Sequence, residues 1–247
     1  MISVAIIAKN AEKTIGDTLE SLKSFDDVVV YDNGSTDNTK SICESYANVN
    51  HVDGEFSGFG PTKNKAASFC KNDWILSLDA DEVLTKEFID ELKAVELDES
   101  KVYTINRVNY YKDQKIAHCW ANDIIVRVYN KNKTAFNDLH VHEKVISDGF
   151  KVIDLKSEVN HFPYSTITDF IIKLDRYSTI FAEDNVGRKS SSPLKAILNA
   201  KFSFLKTYFI KRGFLDGYAG LVIAFSHMAT NFYKYIKLYE ANKELKK

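Results

Sequence analysis

Asp79 and Asp81 stand two residues apart, directly after the apolar run Trp74-Ile75-Leu76-Ser77-Leu78. In extended backbone alternate side chains point the same way, so the two carboxylates can converge on one hard cation such as magnesium or manganese. Such a cation completes its shell with water and phosphate oxygens. It eases the departure of a diphosphate by neutralising the charge left as the bond breaks. Two solvated acids capping the helix that follows Glu82 are the plainer alternative. Asp32 ends a second apolar run, Val28-Val29-Val30-Tyr31, and leads into Asn33-Gly34-Ser35-Thr36-Asp37. The backbone N–H groups and hydroxyls of that turn can hold a nucleoside while the carboxylate accepts from ribose or base. An ordinary connecting turn would have the same composition. His140 and His142 alternate beside Glu143, which makes zinc conceivable. With no clear third ligand, they read as a polar strand face that supports a base or binds an acceptor.

These residues need elements to carry them. The first hundred residues alternate short apolar runs with helical spacing, the pattern of βα units on a mainly parallel sheet. Strands are expected over Ile2 to Ala8, Val28 to Tyr31 and Trp74 to Leu78, with helices over Thr14 to Lys23, through Ile42 to Tyr46, from Pro61 to about Lys71, and from a Thr85 cap to Val95. In open parallel sheets ligands bind beyond the carboxyl ends of the strands, which is where Asp32, Asp79 and Asp81 fall. From Val102 the period shifts toward two, as in Val102 to Val108 and Ile124 to Val128, which predicts an antiparallel second half. Helical spacing returns at Thr168 and continues to the end, interrupted at Ser190-Ser191-Ser192-Pro193.

The chain has 247 residues, 45% of them apolar, and a net charge of −1, which excludes a disordered chain and a general nucleic-acid binder. The charge is unevenly spread. Residues 188–247 carry 12 basic and 3 acidic side chains, so this stretch is strongly positive and the rest acidic. Cys43, Cys70 and Cys119 are scattered and odd in number, indicating neither a disulfide framework nor a cysteine zinc site. The amino-terminal run reads as a strand rather than a signal peptide, and no segment reads as membrane-spanning. The expected location is the cytoplasm.

In order and at matching spacing, Ser3 to Asn10, Asp32 to Asp37, Gly58-Phe59-Gly60-Pro61-Thr62-Lys63-Asn64 and Leu78 to Glu82 resemble the successive motifs of family 2 glycosyltransferases with the GT-A fold. Trp120 with Asp123, Ile125 to Tyr129, Leu139 to Val145, the His161 region and Arg176-Tyr177-Ser178 resemble the lipopolysaccharide core β-1,4-glucosyltransferase subgroup. The resemblance covers about residues 1–180. It implies an α/β GT-A catalytic domain over 1–187, with a nucleotide-sugar half at 1–100 and an acceptor half at 101–187, followed by a basic helical extension at 188–247. Nucleotide-sugar contacts are implied at Asn10, Asp32, Gly34, Ser35, Lys63, Asn64, Asp79, Ala80 and Asp81, and acceptor contacts at Trp120, Arg127 and His142. A manganese or magnesium ion is implied at Asp81 and Asp79, with His161 completing the shell. The family is inverting, so a single carboxylate must take the acceptor's proton; Glu143 occupies the matching position and Asp123 is the rival.

The implied reaction moves a hexose, with glucose favoured, from a UDP-linked donor to a lipopolysaccharide core or another lipid-linked saccharide. Two other readings stand beside it. Leu78 to Val83 also fits the motif of haloacid-dehalogenase-type phosphatases, although there it normally ends the first strand. A non-catalytic nucleotide-sugar-binding scaffold on the membrane is the other. In the extension, Ile197, Leu198, Phe202, Leu205, Tyr208 and Phe209 line one helical face, and a second helix follows with apolar residues from Tyr218 to Ile236. Those faces are expected to pack on each other and on the catalytic domain. The surplus positive charge is expected to face the anionic cytoplasmic leaflet of the inner membrane.

Overall fold

The structure is a computed structural model that describes residues 1–138 and 143–245. Leu139, His140, Val141 and His142, two of them named above, lie outside the described residues. By its internal contacts the chain divides into two compact units, one of Met1–Val108 with Asn122–Phe162 and one of Asn109–Ala121 with Pro163–Lys247.

The first unit is built on a sheet. β1 (Ile2–Ala8) lies between β2 (Val28–Asp32) and β4 (Trp74–Asp79), parallel to both, and β3 (Val49–Asp53) extends the sheet parallel to β2. The order continues through β8 (Asp123–Asn130), β6 (Lys101–Tyr111), β9 (Lys151–Tyr164) and β5 (Glu82–Leu84). β8 runs antiparallel to β4 and β6, and β5 runs antiparallel to β9. The expected change from parallel to antiparallel pairing is therefore present.

β1 is apolar along most of its length because both faces are covered, as parallel strands require. Val4, Ile6, Val28 and Val30 enter one core with Ile15 and Leu19 of α1 (Ile15–Ser21) and Phe88 and Leu92 of α4 (Lys86–Ala94). The intervening Ala5, Val29 and Ile75 enter a second core with Ala66 and Ala67 of α3 (Phe59–Ser68). Leu19 has no solvent exposure, and Leu19→Ala would cost about 2–5 kcal/mol. Thr85 caps α4 as expected, its hydroxyl accepting from Phe88 N–H at 3.1 Å. α2 spans Thr39–Glu44 and starts where the Asp37 carboxylate accepts from Thr39 N–H at 3.0 Å. α3 begins two residues earlier than the proline placed it, at Phe59 after Gly58, whose φ of 103° only glycine adopts easily.

The second unit is mainly helical. The short strand β7 (Gln114–Lys115) pairs with the end of β6. α5 (Ile167–Asn185) opens with a capping box between Thr166 and Asp169. α6 (Pro193–Leu205) runs into a π-helical turn at Lys206–Ile210 and a 3₁₀ turn at Gly213–Asp216, and α7 (Gly217–Glu244) follows. α5 packs along α7, with Phe181 edge-on to Tyr235 and Lys237 2.6 Å from Asp175. The packing boundary therefore falls at Pro163, before the charge reversal near 188.

The apolar face expected to be buried on α6 is exposed. Ile197, Leu198, Phe202 and Leu205 face solvent, while Ala196 and Ala200 are the residues turned inward. The helices approach through small side chains, and α7 does the same with Ala219, Gly220 and Ala224. A Cβ at Gly220 would collide with the carbonyl oxygen of Gly213. No helix among the described residues is long and apolar enough to cross a membrane.

Candidate active site

β1 sets the height of the site. Its penultimate residue, Ile7, is level with Asp79 of β4, and its last, Ala8, is level with Asp32 of β2. Both acids thus stand at the carboxyl edge of the parallel strands, where ligand sites form in such sheets.

Asp32 is almost wholly buried and its two oxygens are separately engaged. Oδ1 accepts from Ser35 N–H at 2.8 Å, and Oδ2 lies 3.2 Å from Nε2 of His51 on β3. The carboxylate accepts, so Nε2 donates. Gly34 makes the turn with φ 82° and nothing within 4 Å of its absent side chain. Asn10, in the left-handed region at φ 51°, stitches the loops after β1 and β2 together. Its N–H donates to Ser35 Oγ at 2.8 Å and its Oδ1 accepts from Thr36 N–H at 2.8 Å. Next to Asp32, Asn33 Oδ1 is buried with no hydrogen-bond partner among the described residues. Asp32, His51 and Asp53 bring their ligand atoms within 4.8 Å of one another, and the Lys40 ammonium sits 2.9 Å from Asp53.

Asp79 is surrounded by cations. Lys63 Nζ is 2.7 Å from Oδ1, Arg127 Nη2 is 3.0 Å from Oδ2, and Arg107 Nη1 is 3.6 Å from Oδ2. Burial works against its charge, but Lys63, Arg127 and Arg107 outweigh it and hold the carboxyl well below its usual range. Asp79 N–H donates to the fully buried Glu82 at 2.9 Å, and Glu82 takes Arg107 Nη1 at 3.0 Å. Arg107 Nη2 reaches Asp123 at 2.9 Å. Burial disfavours the charged guanidinium, but Glu82, Asp123 and Asp79 raise its pKa further above the ordinary arginine value. Nε of Arg107 and of Arg127 are buried with no partner among the described residues.

Lys63 reaches both sides of this network. With 2% of its side chain exposed, its ammonium also lies 3.1 Å from Oε1 of Glu143. Asn64 holds Phe136: its amide donates to Phe136 O at 2.9 Å and accepts from Phe136 N–H at 2.8 Å, and Phe136 bridges to Val145. The Asn64 side chain is thus committed to backbone. Ala80 accepts the Thr18 hydroxyl at 3.1 Å.

The β5–β9 register sets Glu82 opposite His161 and so carries His161 to the end of the acidic motif. Its Nε2 lies 3.5 Å from Asp81 Oδ1. These two groups could hold a divalent cation such as manganese, and Asp79 pairs with Lys63 and the arginines.

The sequence-derived residues therefore form three groups within the first unit: Asn10, Gly34, Ser35 and Asp32; Lys63, Asp79, Arg127, Asp123 and Glu143; and Asp81 with His161. Trp120 belongs to the second unit, stacked on Tyr164 and Phe170 with centroids at 5.5 and 6.3 Å. Its Nε1–H donates to His227 Nε2 at 3.4 Å. The structure adds Arg107, Glu82 and His51. An arginine inside the period-two stretch 102–108, and a histidine two residues before an aspartate at a strand end, were the available signals.

The chain matches the glycosyl transferase family 2 model over residues 3–157. It is 31% identical to an uncharacterised glycosyltransferase of Rickettsia typhi over 254 residues, covering 97% of this chain and 87% of that one. It is 27% identical to the lipopolysaccharide core biosynthesis glycosyltransferase LpsC of Rhizobium meliloti, covering 91% of this chain and 89% of that one. Among solved structures, S. aureus TarS in complex with UDP is similar at 18% identity and a TM-score of 0.47, covering 99% of this chain and 91% of that one. With its mixed parallel and antiparallel sheet and the family match extending over more than half its length, the chain belongs to glycosyl transferase family 2 and has the GT-A fold.

Proposed function

We propose that the protein is an inverting hexosyltransferase that moves a sugar, glucose in the preferred reading, from a UDP-linked donor to a lipid-linked saccharide such as a lipopolysaccharide core. The observation that carries this reading is the linked set of Asp79, Lys63 and Glu143, with Asp81 and His161 beside it. The loops after β1 and β2, tied together by Asn10, Ser35 and Asp32, form the proposed nucleoside site. Arg107, Arg127 and Lys63 supply positive charge for the diphosphate, and Asp79 keeps the three in place. Asp81 and His161 would hold a manganese or magnesium ion, whose chemistry is to neutralise the departing diphosphate.

Glu143 is the proposed base and Asp123 the second candidate. Lys63 lies 3.1 Å from Glu143 and Arg107 2.9 Å from Asp123, so each carboxylate is held in place by a cation. LpsC is by name a core lipopolysaccharide enzyme, and WbbL of Escherichia coli, 28% identical over 124 residues, is a rhamnosyltransferase. The first name supports a lipopolysaccharide saccharide as acceptor. The basic stretch from 188 onward then meets an anionic leaflet where such an acceptor is anchored, at the cytoplasmic face of the inner membrane.

Calorimetry with UDP, UDP-glucose and GDP-mannose, with and without manganese, tests the reading on wild type and Asp81→Ala. Metal-dependent uridine nucleotide binding that Asp81→Ala abolishes is the expected result. Absence of nucleotide binding under every condition would overturn the reading.

A further inference from the structure

The carboxy-terminal helices are built with large apolar residues outside. On α6, Leu194, Ile197, Leu198, Phe202 and Leu205 share one helical face and are all exposed, Phe202 by 60% and Leu198 by 58%. The face continues beyond the helix. Phe204 meets Tyr208, Phe209 and Phe225 at centroid distances of 5.4, 6.5 and 5.0 Å, and Tyr208 meets Phe214 at 6.3 Å. These rings join α6, the π-helical turn, the 3₁₀ turn and α7 into one apolar surface. Phe209, Phe214 and Phe225 in it are exposed.

Charge decides what covers this surface. Lys201 lies within the α6 stripe, and Lys206, Lys211 and Arg212 follow at its end, all exposed. Between residues 190 and 239 the acidic residue is Asp216 alone. Asp216 is buried, with its carboxylate accepting from Ala117, His118 and Cys119 N–H at 3.0, 3.2 and 2.8 Å. The surface is therefore apolar and basic with no free anion. A second copy packed through the same face would bring like charges together and seal Lys201 in a dry interface. A bilayer boundary does neither: apolar side chains enter the acyl region, while lysine and arginine stems extend to anionic headgroups.

We infer that the exposed face of α6 and the turns after it inserts into the boundary of an anionic bilayer, so that the protein is held by apolar burial as well as by charge. This rests on the membrane-facing reading of the 188–247 stretch and adds the mode of attachment. Docked this way, the second unit lies at the surface in which the proposed lipid-linked acceptor is anchored.

The test uses the full chain with vesicles of phosphatidylethanolamine and phosphatidylglycerol. Sedimentation is measured at low salt and at ~1 M salt, where the screening length falls to about 3 Å. The expected result is binding that persists at high salt and brominated acyl chains that quench a Phe202→Trp variant beyond the wild-type background. A Leu198→Ser/Phe202→Ser/Phe209→Ser variant should keep its circular dichroism and melting temperature. It should lose high-salt binding about tenfold or more while retaining low-salt binding. Complete release of the wild type by salt would leave charge-driven adsorption standing and overturn insertion. Absence of binding to any vesicle would overturn both. A dimer that forms in solution and is abolished by the triple variant would assign the face to a second copy instead.

Discussion

The ammonium of Lys63 lies 3.1 Å from the carboxylate of Glu143, in a side chain that keeps only 2% of its surface in solvent. A buried lysine is tolerable only with anionic partners, and its other contact is Asp79 at 2.7 Å. One cation thus links the aspartate that orders the arginines to the carboxylate proposed to take a proton.

Lys63→Met should leave both carboxylates short of charge and destabilise the first unit by about 3–5 kcal/mol. Urea denaturation at neutral pH checks this. Because Asp79 is held below its ordinary value of 3.8, it favours the native state above that pH and loses this contribution as pH falls further. The gap between variant and wild type should therefore narrow at acid pH.

Glu143→Gln preserves shape and removes the proton acceptor. It should lower kcat by about 10²- to 10⁴-fold with nucleotide affinity retained. Asp123→Asn should have a smaller effect on kcat and act through Arg107, which loses one of its partners. A reversal of the two magnitudes in initial-rate measurements would exchange the assignments.

His161→Ala should weaken manganese binding in the presence of UDP by about tenfold or more, read by calorimetry. His161→Gln should recover less than half of the loss in binding free energy if the imidazole is a ligand. An unchanged manganese isotherm for both variants would remove His161 from the cation site.

His227 gives the second unit a pH dependence. Burial, with Lys211 and Lys234 nearby, pushes its pKa down from 6.5 to about 4. Trp120 N–H donates to Nε2, so the neutral ring carries its proton on Nδ1 and donates to Thr207 Oγ1 at 3.1 Å. The folded pKa lies below the unfolded one. Stability is full above pH 6.5 and falls as pH drops toward 4, by up to ~3 kcal/mol. Thermal melts of wild type and His227→Gln between pH 4 and 7 should converge at the acid end.

Where a residue's surroundings are local, the sequence disclosed them. The run ending at Asp79, the Asp32 turn and the Thr85 cap depend on near neighbours, and each stands where its pattern placed it. Strands β3 and β5 left no clear trace. β3 is an edge strand with mixed exposure, and β5 has three residues. Long-range pairings were hidden as well. Arg107 contacts Glu82 from 25 residues away, and His161 meets Asp81 through strand register rather than through any motif. The carboxy-terminal helices misled in a different way: apolar periodicity marks a face that avoids water, and it does not distinguish protein from lipid as the cover.

The registration of Asp32 and Asp79 on either side of β1, one residue apart along it, acts as a ruler. Two interstrand spacings separate the acids, about 10 Å between backbones. In the proposed reading one end of that span meets a nucleoside and the other meets the charges that serve its phosphates. The gauge is built from main-chain hydrogen bonds, which side-chain exchange leaves in place. Changes of sugar can therefore arise by substitution around the rim, whereas a change in the length of the activated carrier would require rebuilding the sheet.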